Sequence, residues 1–227
     1  MALFIEILLL FALLVLNRLA FIYLFNRRLH MTLSNNPGLS FLYFVGMAIG
    51  VMILFSDYAS VLLEPHTVPV MTFLIVATVI NPWVYDRLQE TGRLPKRLSK
   101  ANPDQQFLLI DDRFLLAKTG DVIFQQVVAG ILLLIMSAYG IPFETLVPLF
   151  AGIFFVIHLH MFLSTRVIWA LYFSIFAALG GFVLPFLILN VPGGVYYALC
   201  LHLLWYVGSG AFFGFLESDT AAHKAGA

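Results

Sequence analysis

Seven uninterrupted apolar runs, each long enough as a helix to cross a lipid bilayer, leave this chain few ways to fold. They cover residues 3–25, 39–63, 67–85, 122–139, 146–163, 167–189 and 195–216, and about 18 apolar residues is the length a helix needs in hydrocarbon. A membrane barrel is excluded, because its strands are about ten residues long and alternate in polarity, whereas these runs are apolar on all sides. Backbone in contact with lipid must then satisfy its own hydrogen bonds as helix. Composition agrees: 62% of the 227 residues are hydrophobic and 11% are charged, against about 45–50% and about 25% in a soluble domain. The expected fold class is all-α, a polytopic integral membrane helical bundle of seven transmembrane helices forming one domain, residues 1–227.

The punctuation between runs supports this division. Asn35-Asn36-Pro37-Gly38, Glu64-Pro65, Gly140-Ile141-Pro142 and Asn190-Val191-Pro192-Gly193-Gly194 are turn sequences. The first run reads as a retained span and not a cleaved signal, since Glu6 stands where a basic region is expected and Asn26-Arg27-Arg28 where small cleavage-site residues would be. The 12 Lys and Arg balance the 12 Asp and Glu, so there is no basic surplus to attract nucleic acid. Their placement bears on topology instead. Basic residues follow runs one, three, five and seven, while the loops after runs two, four and six have none. By the excess of Lys and Arg in cytoplasmic loops, the amino terminus is expected outside and the carboxyl terminus in the cytoplasm. Arg18 fits this orientation, lying in the cytoplasmic half of its span. A bacterial inner membrane is the expected location.

The one long loop, 86–118, is then cytoplasmic. Phe107, Ile110 and Phe114 share a helical stripe there, which favours an interfacial helix lying on the bilayer; a small hairpin around Asp111-Asp112 is the alternative. Gly46 with Gly50, and Gly210 with Gly214, are four apart, a spacing that permits close helix approach. Pro69, Pro148 and Pro185 are expected to kink their spans. Asn17 and Asp57 are candidates for hydrogen bonds between helices. The single cysteine, Cys200, excludes an intramolecular disulfide.

Polar side chains inside hydrocarbon are costly and are functional candidates by default, and here they are grouped. The fourth span enters with Asp121, Gln125 and Gln126; the fifth carries His158 and His160; the seventh carries His202, Tyr206 and Ser209. Asp121 and Gln125 share a helix face, as do Phe154 and His158, and His202, Tyr206 and Ser209. His158 and His160 are about 200° apart around their helix, so both cannot face one centre.

These residues resemble the motifs of the CAAX-protease and bacteriocin-processing (CPBP, or Abi) family of intramembrane metalloproteases. That family carries E-E-x-x-x-R, F-x-x-x-H and H-x-x-x-N on separate helices. Phe154-Phe155-Val156-Ile157-His158 resembles the second motif, and His202-Leu203-Leu204-Trp205-Tyr206 the third; the first falls on Gln125-Gln126-Val127-Val128-Ala129-Gly130. The resemblance implies a CPBP-like core over residues 119–216 and a site at Gln125, His158, His202 and Tyr206. The departures concern the chemistry: glutamines replace both glutamates, Gly130 replaces the arginine and Tyr206 the asparagine. A glutamine cannot act as a general base. Asp121, one turn before Gln125, would with His158 and His202 supply three ligands for zinc, but one turn is a displacement of about 5.4 Å.

The leading expectation is a non-proteolytic CPBP relative that binds or helps assemble a membrane protein partner or complex among membrane lipids, with no cofactor. The alternative is an active CAAX-type intramembrane endopeptidase with zinc at Asp121, His158 and His202. A small transporter or channel is the third reading; a shortage of buried charges and the lack of a repeated half count against it.

Overall fold

A computed structural model describes residues 2–29, 36–90, 112–159, 162 and 167–225. All the regular structure among them is helical. The helices are α1 (Ala2–Leu19), running on through a π-helical stretch Ala20–Arg28; α2 (Pro37–Leu54); α3 (Ser56–Leu62); α4 (Thr67–Ile75), continued by a π-helical turn Val76–Ile80 into α5 (Asn81–Glu90); α6 (Asp112–Ala138); α7 (Phe143–His158); α8 (Val167–Asn190); and α9 (Gly194–Ala225). Five stretches are long and apolar enough to cross a membrane, and a sixth if the bent pair Ser56–Leu62 and Thr67–Ile80 is counted as one span.

The surface has the polarity of a lipid-facing one. Ile53, Phe4, Ile168 and Val68 are each about 70% exposed, and apolar exposure on this scale does not face water in a stable monomer. The centre of the bundle is α6, 67% buried over its apolar window, whereas the corresponding windows of α1, α2 and α8 are 17–22% buried. Val122, Phe124, Ile131, Leu133 and Ile135 of α6 are all but fully enclosed. Helix α2 packs most closely on it: a Cβ on Gly120 would meet Phe41 backbone at 3.0 Å.

Specific contacts fix which ends lie together. Tyr43 donates to the Asn17 carbonyl at 2.9 Å and Phe21 lies 5.0 Å from Phe44, so the carboxyl-terminal part of the first helix meets the first half of α2. At the other end of that pair, Glu6 accepts from Tyr58 at 3.0 Å and from Tyr139 at 3.5 Å. Helix α4 starts beside the α8–α9 turn, Val76 packs with Leu199 and Leu203, and Val84 packs with Phe114, Leu115 and Tyr206. The stretch from Thr67 to Glu90 therefore runs parallel to α9 and antiparallel to α6.

The turns follow from backbone chemistry. Gly140, at φ 74°, ends α6: its N–H reaches the Ser137 carbonyl and the Ile141 N–H that of Met136, a left-handed cap that favours glycine. Gly193 has φ 68°, and a Cβ there would collide with Pro69. Pro65 has no N–H and disfavours helix at the preceding residue, and the chain turns by 85° between α3 and α4.

Some expectations meet a different structure. Expected run 39–63 is interrupted at Phe55, whose ψ of 44° ends α2, and again at the 85° turn. Helix α7 begins at Phe143, behind Pro142, and is described only to His158; His160 lies outside the described residues. Of loop 86–118, residues 91–111 lie outside them too, while 86–90 and 112–118 are helical. Phe114 is buried against α9. Gly46 and Gly50 both face open space; the close approaches are at Gly120, Gly130 and Gly181, where Cβ atoms would meet Phe41, Leu62 and Ala151.

Candidate functional site

Helix α6 brings Lys118, Asp121, Gln125 and Gln126 within about two turns of one another, and its periodicity sorts them between faces. Lys118 and Asp121, three residues apart, lie on one face and pair at 2.6 Å, each side chain only 15% exposed. Gln125, four residues beyond Asp121, lies on the same helix face and is close enough to favour its ionised carboxylate. Gln126 is one residue further, about 100° around the helix, and faces α9. There its Nε2 lies 2.9 Å from His202 Nδ1.

The partners fix the proton positions on the neutral histidines. A side-chain amide nitrogen only donates, so His202 Nδ1 accepts from Gln126 and its proton is on Nε2. His158 Nδ1 lies 2.7 Å from the Phe154 carbonyl oxygen, one turn back on its own helix. A carbonyl only accepts, so His158 carries its proton on Nδ1. The two histidines are thus opposite tautomers, and are near enough for their charges to interact with each other. Lys118 and Asp121 lie within the same electrostatic reach of His202.

Aromatic groups close the layer. The Tyr206 ring is stacked 5.9 Å from Phe114 and 5.4 Å from the Lys118 ammonium, so this tyrosine supplies a cation–π face. It is 2% exposed. One turn along α9, Trp205 lies 6.2 Å from His202 and stacks on Tyr172, whose hydroxyl is 2.8 Å from that of Ser209.

The structure therefore draws Asp121, Gln125, His158, His202 and Tyr206 to one region, and puts Gln126 in direct contact with His202. Among the described residues no three of His, Cys, Asp and Glu are placed together as a metal-holding group. One Asp121 oxygen is bound to Lys118, and His202 would have to leave Gln126 to offer Nδ1 to a metal. Sequence reasoning missed Lys118, taken there as loop; its spacing of three from Asp121 was the signal that a shared helix face would pair them. A cavity of about 250 Å³, lined in part by Glu64, His66 and Asn190, lies at the opposite end of the bundle, at the turns α3–α4 and α8–α9.

No family model, curated protein or solved structure matches this chain. The likeness to the CPBP family is carried by the motif residues alone.

Proposed function

We propose that this chain is a seven-crossing integral membrane protein of a bacterial inner membrane, amino terminus outside and carboxyl terminus cytoplasmic, and a non-proteolytic CPBP relative that binds or helps assemble another membrane protein. The order of contacts supports seven crossings: Thr67–Glu90 follows α9 from its start to Tyr206, and α7, about 24 Å long at 1.5 Å per residue, joins the turn after α6 to the level of His158. The basic residues support the orientation.

One observation carries the functional reading, the hydrogen bond from Gln126 to His202. In a hydrolase of this pattern a carboxylate beside the histidines would take a proton from water. Here the group bonded to His202 is an amide, which has no basic atom for that step, and the nearby Asp121 carboxylate is held by Lys118. The bond holds α6 to α9 and leaves a fixed polar layer suited to recognition, not to hydrolysis.

The test is crosslinking in native membranes from photoreactive residues at Leu201 and Leu204, exposed positions of α9 on either side of His202. A discrete adduct with one membrane protein is expected. Adducts with lipid alone, or zinc-dependent cleavage of a membrane peptide by the purified chain, would overturn the reading.

A further inference from the structure

The polar layer holds an uneven set of charges. Lys118 and Asp121 neutralise each other at 2.6 Å. Arg18, on α1, acts electrostatically on the same carboxylate but makes no ion pair within 4 Å among the described residues. Its Nε is buried and has no hydrogen-bond partner. Among the described residues two cations thus share one carboxylate, leaving one positive charge over.

The depth of that surplus narrows what can match it. Arg18 is six residues short of the end of the apolar stretch Leu3–Leu24, and Lys118 is four residues into Phe114–Ala138. At 1.5 Å per residue they lie roughly 9 Å and 6 Å inside the end where the basic segments gather. That is within reach of the headgroup boundary for a long side chain. Arg18 is half-buried on the least buried of the long spans, so the site lies on a helix that borders lipid. A guanidinium beside an ammonium matches a phosphate oxygen pair in geometry as well as charge, and basic pockets between helices on this side of a membrane are suited to anionic headgroups.

We propose that Arg18, with the Lys118–Asp121 pair beside it, forms a binding site for the phosphodiester of an anionic lipid headgroup at the basic end of the bundle, between α1 and α6. The inference is independent of whether the histidine layer receives a protein partner. Asp121 sets its strength, because it offsets one of the two cations.

The experiment uses the full chain, delipidated in a neutral detergent, with lipid retention read by native mass spectrometry and binding by thermal shift. Phosphatidylglycerol is expected to be retained and to stabilise the protein, phosphatidylcholine of the same chains to do neither, and inorganic phosphate to have no effect. Affinity should fall as ionic strength rises. Arg18→Gln should weaken retention by about tenfold or more, Asp121→Asn should strengthen it, and Lys224→Gln should leave it unchanged. Equal retention of both lipids, or no salt dependence in the unaltered protein, would overturn the proposal whatever the variants do. Stabilisation by inorganic phosphate equal to that by phosphatidylglycerol would overturn the lipid assignment in favour of a free phosphate anion.

Discussion

Removing either member of the Lys118–Asp121 pair should destabilise the bundle, and the two losses should be unequal. The pair is short, 2.6 Å, and 15% exposed on each side, which puts it near the buried class, where stripping one partner costs about 3–5 kcal/mol. The neighbours then decide the asymmetry. After Lys118→Met, Asp121 keeps the favourable influence of Gln125 and the attraction of Arg18, so the cost should drop to about 1–3 kcal/mol, the range for leaving a polar group incompletely satisfied. After Asp121→Leu, both cations that act on this carboxylate lose it, and the full cost of about 3–5 kcal/mol applies. The double variant should be more stable than Asp121→Leu alone, because it removes one of the stranded cations. At about 2–4 °C per kcal/mol for a chain of this size, Asp121→Leu should lower Tm by about 10 °C and Lys118→Met by about half that. The assay is thermal unfolding in detergent, followed by tryptophan fluorescence, with SDS titration as an equilibrium check. Equal losses, a larger loss for Lys118→Met, or strict additivity in the double variant would refute the charge reasoning.

Other consequences follow from named contacts. Nitrogen NMR of labelled histidine should find His158 protonated on Nδ1 and His202 on Nε2 when neutral; the same tautomer at both would contradict the hydrogen-bond assignment. Gln126→Leu should cost about 1–2 kcal/mol, the range for a hydrogen bond between membrane helices, measured by SDS titration, and should cost nothing further in a His202→Phe background. Gly193→Ala should lower stability by about 1–3 kcal/mol, since φ is 68° and the new Cβ meets Pro69. Gly46→Ala faces open space and should stay within about 0.5 kcal/mol of the parent.

Much of the helical framework was legible because hydrocarbon imposes a long apolar run on every crossing, and the Glu64-Pro65 turn because proline removes a donor. The break at Phe55 was not, since Leu54-Phe55-Ser56 contains neither proline nor glycine. The start of α6 was read too late for a related reason: Asp112, Arg113 and Lys118 interrupt the apolar pattern, and only tertiary contact with Tyr206 and Val207 reveals that Phe114 and Leu115 are interior. In the site, the residue types were legible and one partnership was not. Gln125 and Gln126 are adjacent in sequence but about 100° apart on the helix; which of them meets His202 depends on where α9 packs. The glycine pairs carried the same ambiguity, since spacing alone does not say which face of α2 meets a neighbour.

The proposed function has no hydrolytic metal centre in this polar layer, and metal content tests that proposal most directly. Elemental mass spectrometry on the detergent-purified full chain, beside the His158→Ala/His202→Ala double variant, should find the same substoichiometric zinc in both. About one zinc per chain, lost in the double variant, would place a metal on these histidines and contradict the account.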